Sequence, residues 1–200
     1  RETGASLRPP TTLKEYNAVA AFFTRSTDAV DYGVSVAAAY NECFAPELYF
    51  RLHAFQSQIL GDDGMPAFDN PQTLKAYINF RRTIHLAKPD YLQATDVSIV
   101  DDFLRGDTAM LITYPSFLTN STDLRGSSTS IGCSLVPGRR PLLGGWSFGV
   151  SRQSAQREQA LAFLRWTCDE GISNYFTIMG GQTAISNTYT NDELVKLYPW

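Results

Sequence analysis

Residues 98–117 read SIVDDFLRGDTAMLITYPSF, and this stretch predicts a helix, a tight turn and a strand in succession. Ser98 and Asp101 have the three-residue spacing of a capping box, so we expect the helix to begin at Ser98. Gly106 can adopt the left-handed conformation with which helices commonly end. The stretch is the clearest local indication of an α/β fold.

The residues after Gly106 predict a buried strand with a ligand site at its carboxyl end. The run from Ala109 to Tyr114 is largely apolar on both faces, which is typical of a strand covered by helices on each side. Pro115 cannot donate a ladder hydrogen bond and ends the strand. In open α/β sheets ligands bind beyond the carboxyl ends of strands, so the segment from Tyr114 to Phe117 is where we first expect a site.

The composition limits the kinds of partner. The 200 residues fit one large domain or two small ones, and a net charge of −3 gives no electrostatic reason to expect nucleic acid or an anionic membrane. No apolar run approaches the ~18 residues that a membrane-spanning helix requires. The basic pair Arg139-Arg140, in the turn PGRRP, favours a solvated hairpin tip over a phosphate grip.

Apolar periodicity and turn residues predict the remaining elements. In chain order these are a helix over 12–24, a strand over 31–36, a helical stretch over 40–60 that Pro46 kinks or splits, a helix from Asn70 to about His85, strands over 131–136 and 142–150, a helix from Ser154 to about Gly171, a helical segment to about Met179 and a capped helix over 191–198.

The cysteines and the acidic turn predict no metal site. Cys43, Cys133 and Cys168 are widely separated and form no CxxC pair, so we interpret them as small buried apolar residues. A disulfide between two of them stays open. The turn residues Asp62 and Asp63 do not match an EF-hand loop, and we interpret them as solvated. We predict neither a metal nor a cofactor.

No catalytic motif stands out. The chain has no GxSxG, HExxH, Walker or GxGxxG sequence. Asp101 and Asp102 are adjacent, and neighbouring helical residues project about 100° apart, which is poor geometry for two carboxyls that flank one bond. His85 has no Ser, Cys or paired carboxylate near it in sequence. The residues therefore favour a protein that is not an enzyme.

Aromatic residues and glycines recur at predicted strand ends. The set comprises Tyr40, Tyr114, Phe117, Gly144, Gly145 and Trp146. Aromatic faces that stack on a sugar ring, with polar donors at the rim, would suit a neutral polyhydroxy ligand. Core packing explains each of these aromatic residues equally well, and the sequence alone leaves both interpretations open.

Five segments, taken in order, resemble a known family. They are PPTTLKEYNAVAAFF from residue 9, NPQTLKAYINFRRTI from residue 70, FLRGDTAMLITYPSF from residue 103, SLVPG with LLGGWSFGVSRQSAQREQALAFLRW from residues 134 and 142, and GGQTAISNTY from residue 180. Each is weakly specific, but their order over nearly the whole chain is similar to the bacterial extracellular solute-binding proteins of ABC importers, the maltose-binding-protein-like family.

The resemblance implies a type II periplasmic-binding-protein-like fold. It implies an α/β lobe, rich in helices around a small mixed sheet and incomplete relative to a two-lobed parent of about twice the length. Residues 1–142 would form the second ligand-binding lobe, and 143–150 a hinge-crossing strand. Residues 151–200 would form a helical segment that packs largely on the first lobe. Arg1 would then be an internal start.

The resemblance also implies a carbohydrate site. The predicted ligand-binding residues are Tyr40, Asn41, Tyr114, Ser116, Phe117, Gly144, Gly145, Trp146 and Gln182. Ser116 stands where the family usually has Trp, and Phe117 is the substitute for that stacking contact. Gly144 to Trp146 would lie at the interlobe crossing and face the cleft.

The implied function is solute binding for transport. The protein would bind a mono- or oligosaccharide and deliver it to the permease subunits of an ABC transporter, from the periplasm or from a lipid anchor outside the cell membrane. Without its first lobe the chain would bind weakly, and its uncovered surface would favour a non-native dimer. Two alternatives stay open: a carbohydrate-active enzyme domain that uses Asp101, Asp102 or His85, and a surface or sensor protein with the same fold.

Overall fold

The computed structural model describes residues 7–26, 30–40, 42–119 and 131–197. In chain order the elements are α1 (Leu13–Ser26), β1 (Tyr32–Val34), α2 (Phe44–Ala54), α3 (Pro71–Ile84), α4 (Asp96–Arg105), β2 (Thr108–Met110), α5 (Pro115–Thr119), α6 (Arg157–Thr167), α7 (Glu170–Ile178), a 3-10 helix (Ser186–Thr190) and α8 (Asp192–Leu197). In this part of the chain no helix combines the length and the apolar character that a membrane crossing needs. The contacts divide the chain into a first unit, residues 1–113 and 134–143, and a second unit, residues 114–133 and 144–200.

Helix α1, predicted over 12–24, begins at a capping box that Thr12 and Glu15 form. The Glu15 N–H donates to the Thr12 hydroxyl over 3.1 Å, and the Glu15 carboxylate accepts from the Thr12 N–H over 3.3 Å. The Thr11 N–H donates to the same carboxylate over 2.8 Å. Tyr16 and Ala20 lie on the buried face of the helix. The predicted helix is therefore confirmed.

The sheet is small and parallel. Strands β1 and β2 pair in the register that joins Tyr32 to Thr108 and Val34 to Met110. Strand β2 ends at Met110, so the prediction of a strand that continues to Tyr114 is wrong. Residues beyond Met110 have no ladder partner because β1 itself ends at Val34.

Strand β1 lies directly against α1 because Gly33 has no side chain. A Cβ at Gly33 would be 2.0 Å from the carbonyl oxygen of Ala20. The Thr24 hydroxyl joins the two elements, because it accepts from the Gly33 N–H over 2.8 Å and donates to the Ala20 carbonyl over 2.9 Å. The contact fixes the spacing between the helix and the sheet.

Helix α4 begins at Asp96, two residues before the predicted start at Ser98. Thr95 is the N-cap and accepts from the Ser98 N–H over 3.2 Å, while the Ser98 hydroxyl accepts from the Thr95 N–H over 2.8 Å. Ser98 is thus the third helical residue and not the first, because its hydroxyl is the reciprocal half of the capping box. Gly106 ends the helix with φ 85°, as predicted.

Helix α2 carries a buried ion pair between Glu47 and Arg51. Pro46 lies in the first turn, so the predicted kink does not occur; the helix simply begins at Phe44. The Arg51 guanidinium contacts the Glu47 carboxylate over 2.6 Å, and both side chains are buried. The guanidinium carbon lies 4.6 Å from the centroid of the Phe80 ring on α3. The pair therefore joins helices α2 and α3 inside the first unit.

The second unit contains helices with unusually little burial. Helix α6 has no buried residue, and Phe163 and Trp166 on it are each 53% exposed. It begins at Arg157 rather than at Ser154 and ends at Thr167, after which α7 follows as a separate helix. Asn191 caps α8 by accepting from the Leu194 N–H over 3.3 Å. The cap predicted there is confirmed.

Two predicted strands are not formed. Residues 131–136 and 142–150 have no regular secondary structure. Pairing in the described ranges is limited to β1 with β2 and to two isolated bridges elsewhere, so neither segment has the ladder that a strand requires. The predicted hinge-crossing strand over 143–150 is therefore an irregular segment.

The burial predicted for the cysteines is correct only for Cys43. Cys133 and Cys168 are exposed, and none of the three forms a disulfide. Cys168 directly follows α6, which buries none of its residues. Cys133 lies in an irregular segment that packs against no strand.

Candidate ligand-binding site

Tyr114, just before α5, and the first turn of α5 hold three of the predicted site residues. Tyr114, Ser116 and Phe117 are each half-buried. Pro115 is the first residue of α5, where its missing N–H costs no helical hydrogen bond. The Phe117 N–H donates to the Tyr114 carbonyl over 3.1 Å. The turn therefore fixes the backbone while it leaves part of each side chain accessible to solvent.

Tyr114 and Gly144 are in direct contact. A Cβ at Gly144 would lie 2.6 Å from Cε1 and 2.8 Å from the hydroxyl oxygen of Tyr114. The absence of a side chain at Gly144 therefore makes room for the tyrosine ring. The structure brings these two predicted site residues together within the second unit.

The other predicted residues of the second unit are exposed. Trp146 is 100% exposed, and Gly145 and Gln182 are also exposed. Gln182 follows Gly181, whose backbone packs on the ring of Phe176, since a Cβ there would lie 2.3 Å from that ring.

Tyr40 belongs to the first unit and emerges from a buried segment. Residues 35–39 after β1 are all buried, and Tyr40 is fully exposed. Cys43, just beyond, hydrogen-bonds the carboxyl of Asp96 on α4, and burial raises the pKa of both the thiol and the carboxyl. The buried residues 35–39 before Tyr40 and the hydrogen bond of Cys43 after it therefore hold the chain on both sides of Tyr40. Asn41 lies outside the described residues.

The carboxylates of the enzyme alternative have another role. Asp102 is buried and contacts Lys88 over 2.7 Å, and it also pairs with Arg105. The hydrogen bond that the Lys88 ammonium donates to the Asp102 carboxylate raises the pKa of Lys88. Asp101 is exposed, and His85 is an exposed C-cap of α3. Asp101 and Asp102 therefore do not form a facing pair of carboxyls.

Phe148 is an exposed aromatic residue next to the predicted site that the sequence analysis did not select. Phe148 is 77% exposed, two residues from Trp146. The spacing in the sequence Trp-Ser-Phe would have placed both rings on one face of a strand. The described ranges contain no group of three or more His, Cys, Asp or Glu side chains that could hold a metal ion, so they offer no candidate metal site.

The fold and the sequence define a class of protein. The sequence profile of the family described as bacterial extracellular solute-binding protein matches residues 2–198, and the chain belongs to this family. No significant match exists among curated proteins.

Solved structures share the fold at low sequence identity. Maltose-bound MalE3 of T. maritima superposes with a TM-score of 0.84 at 19% identity, over 99% of this chain and 53% of that chain. An ABC transporter solute-binding protein of Agrobacterium radiobacter in complex with ribitol gives 0.80 at 21% identity, over 95% and 50%. One of Thermotoga lettingae bound with α-D-tagatose gives 0.78 at 20%, over 94% and 50%. The chain thus spans about half the length of these proteins and has their periplasmic-binding-protein-like fold.

Proposed function

We propose that this chain forms one half of a two-lobed solute-binding protein that binds a carbohydrate for an ABC importer. The observation that carries the proposal is the family match combined with the ligands of three similar structures, which are ribitol, maltose and tagatose. All three ligands are neutral polyhydroxy compounds. The same ligand class suits the tyrosines and the tryptophan of the candidate site.

The proposed site combines apolar faces with polar groups. Trp146 and Tyr114 offer aromatic surfaces on which the apolar face of a sugar ring can stack. Ser116 and Gln182 offer hydroxyl and amide groups for its hydroxyls, and Phe117 supplies stacking next to Ser116. Tyr40 and Asn41 are proposed as further ligand-binding residues. The proposed site contains neither metal nor cofactor and catalyses no reaction.

The proposed domain arrangement is supported by the exposed apolar surface of the second unit. Residues 1–142 form the second lobe, 143–150 cross the hinge, and 151–200 pack largely on the first lobe. Helix α6 has no buried residue, although it bears Phe163 and Trp166. Apolar surface of this kind marks a contact area. We assign this contact area to the first lobe.

Transport follows from a change in the angle between the lobes. Ligand that contacts both lobes favours the closed state, because only its additional contacts in that state can shift the equilibrium. The permease subunits of the importer recognise the closed state and receive the solute. The protein acts outside the cytoplasm, in the periplasm or attached to the cell surface by a lipid.

Isothermal titration of the two-lobed protein against monosaccharides, polyols and oligosaccharides tests the proposal. We expect one class of sugar to bind and Trp146→Ala to weaken its binding about tenfold or more. The control Tyr77→Ala, an exposed aromatic residue on α3 outside the proposed site, should leave binding unchanged. Binding of an amino acid or a metal ion with no response to any sugar would contradict the carbohydrate assignment. Hydrolysis of chromogenic glycosides that is lost in Asp101→Ala would instead favour the enzyme alternative.

The chain alone gives a second measurement. We expect it to bind the same sugar far more weakly than the two-lobed protein, since each tenfold loss corresponds to about 1.4 kcal/mol of lost contacts. Sedimentation tests whether its exposed second-unit surface pairs two copies. Equal affinity of the chain and the two-lobed protein would contradict a site that is shared between lobes.

A further inference from the structure

A polar hollow lies on the first unit, apart from every predicted site residue. It has a volume of about 430 Å³ and is lined by His53, Gln56, Ser57, Gln58 and Arg140. Two segments form it: the end of helix α2 with the residues after it, and the turn PGRRP at 137–141. The proposed function makes no use of either segment.

The end of α2 has a geometry that brings its polar side chains to the hollow. The Gln56 N–H donates to the carbonyl of His53 over 3.0 Å, and the Ser57 N–H donates to that of Leu52 over 2.8 Å. These are the two bonds of a Schellman motif, and Gln56 occupies its left-handed position with φ 57°. The last carbonyls of the helix are thus occupied by backbone N–H groups, which reduces the negative character of the helix end.

The basic turn is held against the same helix end. The Gly138 N–H donates to the carbonyl of Thr11 over 2.9 Å. A Cβ at Gly138 would lie 2.7 Å from Cβ of Ala54, so the glycine permits close contact with the last turn of α2. Pro137 is buried beneath the turn. This packing places Arg140 in the wall of the hollow beside His53.

The lining chemistry is that of an anion site. Arg140 supplies a fork of N–H donors that matches the oxygens of a phosphate or carboxylate, and His53 supplies an imidazole. The amides of Gln56 and Gln58 add further donors, and no lining residue is acidic. The Ser57 hydroxyl is bonded to the Thr73 hydroxyl over 2.6 Å, which fixes the floor of the hollow.

Backbone strain marks the same place. In the described residues, Gln56 and Arg139 are the non-glycine residues with positive φ, at 57° and 54°. One lines the hollow and the other directly precedes Arg140. A non-glycine residue in the left-handed region costs free energy, and such strain is concentrated at functional sites. Glycine would relieve the strain at Gln56 but would remove the amide from the wall.

We propose that the hollow between the end of α2 and the 137–141 turn is a second binding site, for a phosphate group. The phosphate is either free in solution or part of an anionic lipid headgroup. None of the proposed sugar-binding residues lines this hollow. Arg140 is the principal contact, and His53 and Gln56 complete the set of donors.

Titration of the chain with inorganic phosphate at low ionic strength tests the proposal, because screening by salt is then weak. We expect saturable one-to-one binding, weakened about tenfold or more by Arg140→Gln, since hydrogen bonds to a charged group are strong. The matched control Arg139→Gln removes the same charge from the neighbouring residue, and we expect less than about a threefold effect. No saturable binding below about 10 mM phosphate, or equal effects of the two substitutions, would overturn the proposal.

Variants at Gln56 separate binding from stability. We expect Gln56→Gly to raise the melting temperature, because it relieves the left-handed strain, and to weaken phosphate binding because the amide is lost. Gln56→Ala should weaken binding equally without the gain in melting temperature. Unchanged phosphate affinity in both variants would contradict the assigned contact.

Vesicles distinguish the two sources of phosphate. Co-sedimentation of the chain with phosphatidylglycerol vesicles but not with phosphatidylcholine vesicles, lost in Arg140→Gln, would assign the site to an anionic lipid headgroup. Phosphate binding without co-sedimentation would assign it to a soluble phosphate. Co-sedimentation that Arg140→Gln leaves intact, in a chain that binds no phosphate, would overturn the proposal.

Discussion

The contact between Gly144 and Tyr114 allows a sharp test of the candidate site. In Gly144→Ala the new Cβ would lie 2.6 Å from Cε1 of the Tyr114 ring. Ordinary carbon contacts are about 3.5–4.0 Å, so the ring must move by about 1 Å. A ring forced off its preferred rotamer costs about 0.5–1.5 kcal/mol, which the fold tolerates.

The expected effect is therefore on binding more than on folding. If Tyr114 stacks on a sugar, loss of that contact removes about 0.5–1.5 kcal/mol, which corresponds to about a two- to twelvefold loss of affinity. Titration of the two-lobed protein with its sugar measures the loss, and urea denaturation measures stability.

The control is Gly149→Ala, because a Cβ at Gly149 meets no atom within 4 Å. We expect it to change neither quantity. If Gly144→Ala and Gly149→Ala bind the sugar with equal affinity, the assignment of Tyr114 to the site is refuted. A large loss of stability in Gly144→Ala would refute the expectation that the fold tolerates the displaced Tyr114 ring.

Three further predictions concern the first unit. Gly33→Ala places a Cβ against the backbone of α1, so we expect a loss of about 3 kcal/mol or more by urea denaturation, while Gly132→Ala, with open space around it, costs little. Hydrogen bonds from Thr11 hold the pKa of Glu15 below its ordinary value of 4.5. The stability that the Glu15 carboxylate contributes is therefore present above pH 4.5 and is lost as the pH falls through the lowered pKa. Glu15→Gln should remove this loss of stability at acid pH, as measured by chemical denaturation. Glu47→Leu leaves Arg51 buried without its partner and should cost about 3–5 kcal/mol, whereas Glu47→Leu with Arg51→Met should cost less.

Each of these predictions has a contrary outcome. A stability of Gly33→Ala within about 0.5 kcal/mol of the parent would show that the helix and the strand separate easily. If Glu15→Gln leaves the pH dependence of stability unchanged, the Glu15 carboxylate is not a source of acid sensitivity. Additive effects of the Glu47 and Arg51 substitutions would show that the pair is not coupled.

Local hydrogen-bonding signals in the sequence predicted helix ends well. The reciprocal bonds of Thr12 with Glu15 and the left-handed Gly106 depend only on neighbouring residues, so the sequence contains the information. The start of α4 was misplaced because Ser98 fits either as the cap or as the third helical residue. Only the observed bond with Thr95 distinguishes the two.

Strands were predicted less well because each needs a partner. The run to Tyr114 is apolar, but its ladder ends where β1 ends, at Val34. Residues 142–150 have the alternation of a strand and yet are mostly exposed, with no strand beside them in the described residues. Alternation of apolar and polar residues indicates that a segment prefers the strand conformation, but it does not show that a partner strand is present.

The candidate site was predictable in part. The sequence predicted Tyr114 as a site residue at the carboxyl end of a strand, but it predicted neither the end of β2 at Met110 nor helix α5. The contact of Tyr114 with Gly144, thirty residues later, required coordinates. The hollow beside Arg140 was missed because its lining comes from two distant segments that Gly138 brings together. The basic pair in the turn was the available signal, and the sequence favoured solvation for it.

The lack of buried residues in α6 has a consequence for amide hydrogen exchange. A helix of 11 residues is marginal in water unless a packed face supports it. We expect the amide protons of α6 to exchange with deuterium much faster than those of α1, whose inner face is packed against the sheet. Any surface that covers Phe163 and Trp166 would then slow this exchange, so the exchange rate of α6 reports whether these two side chains are covered.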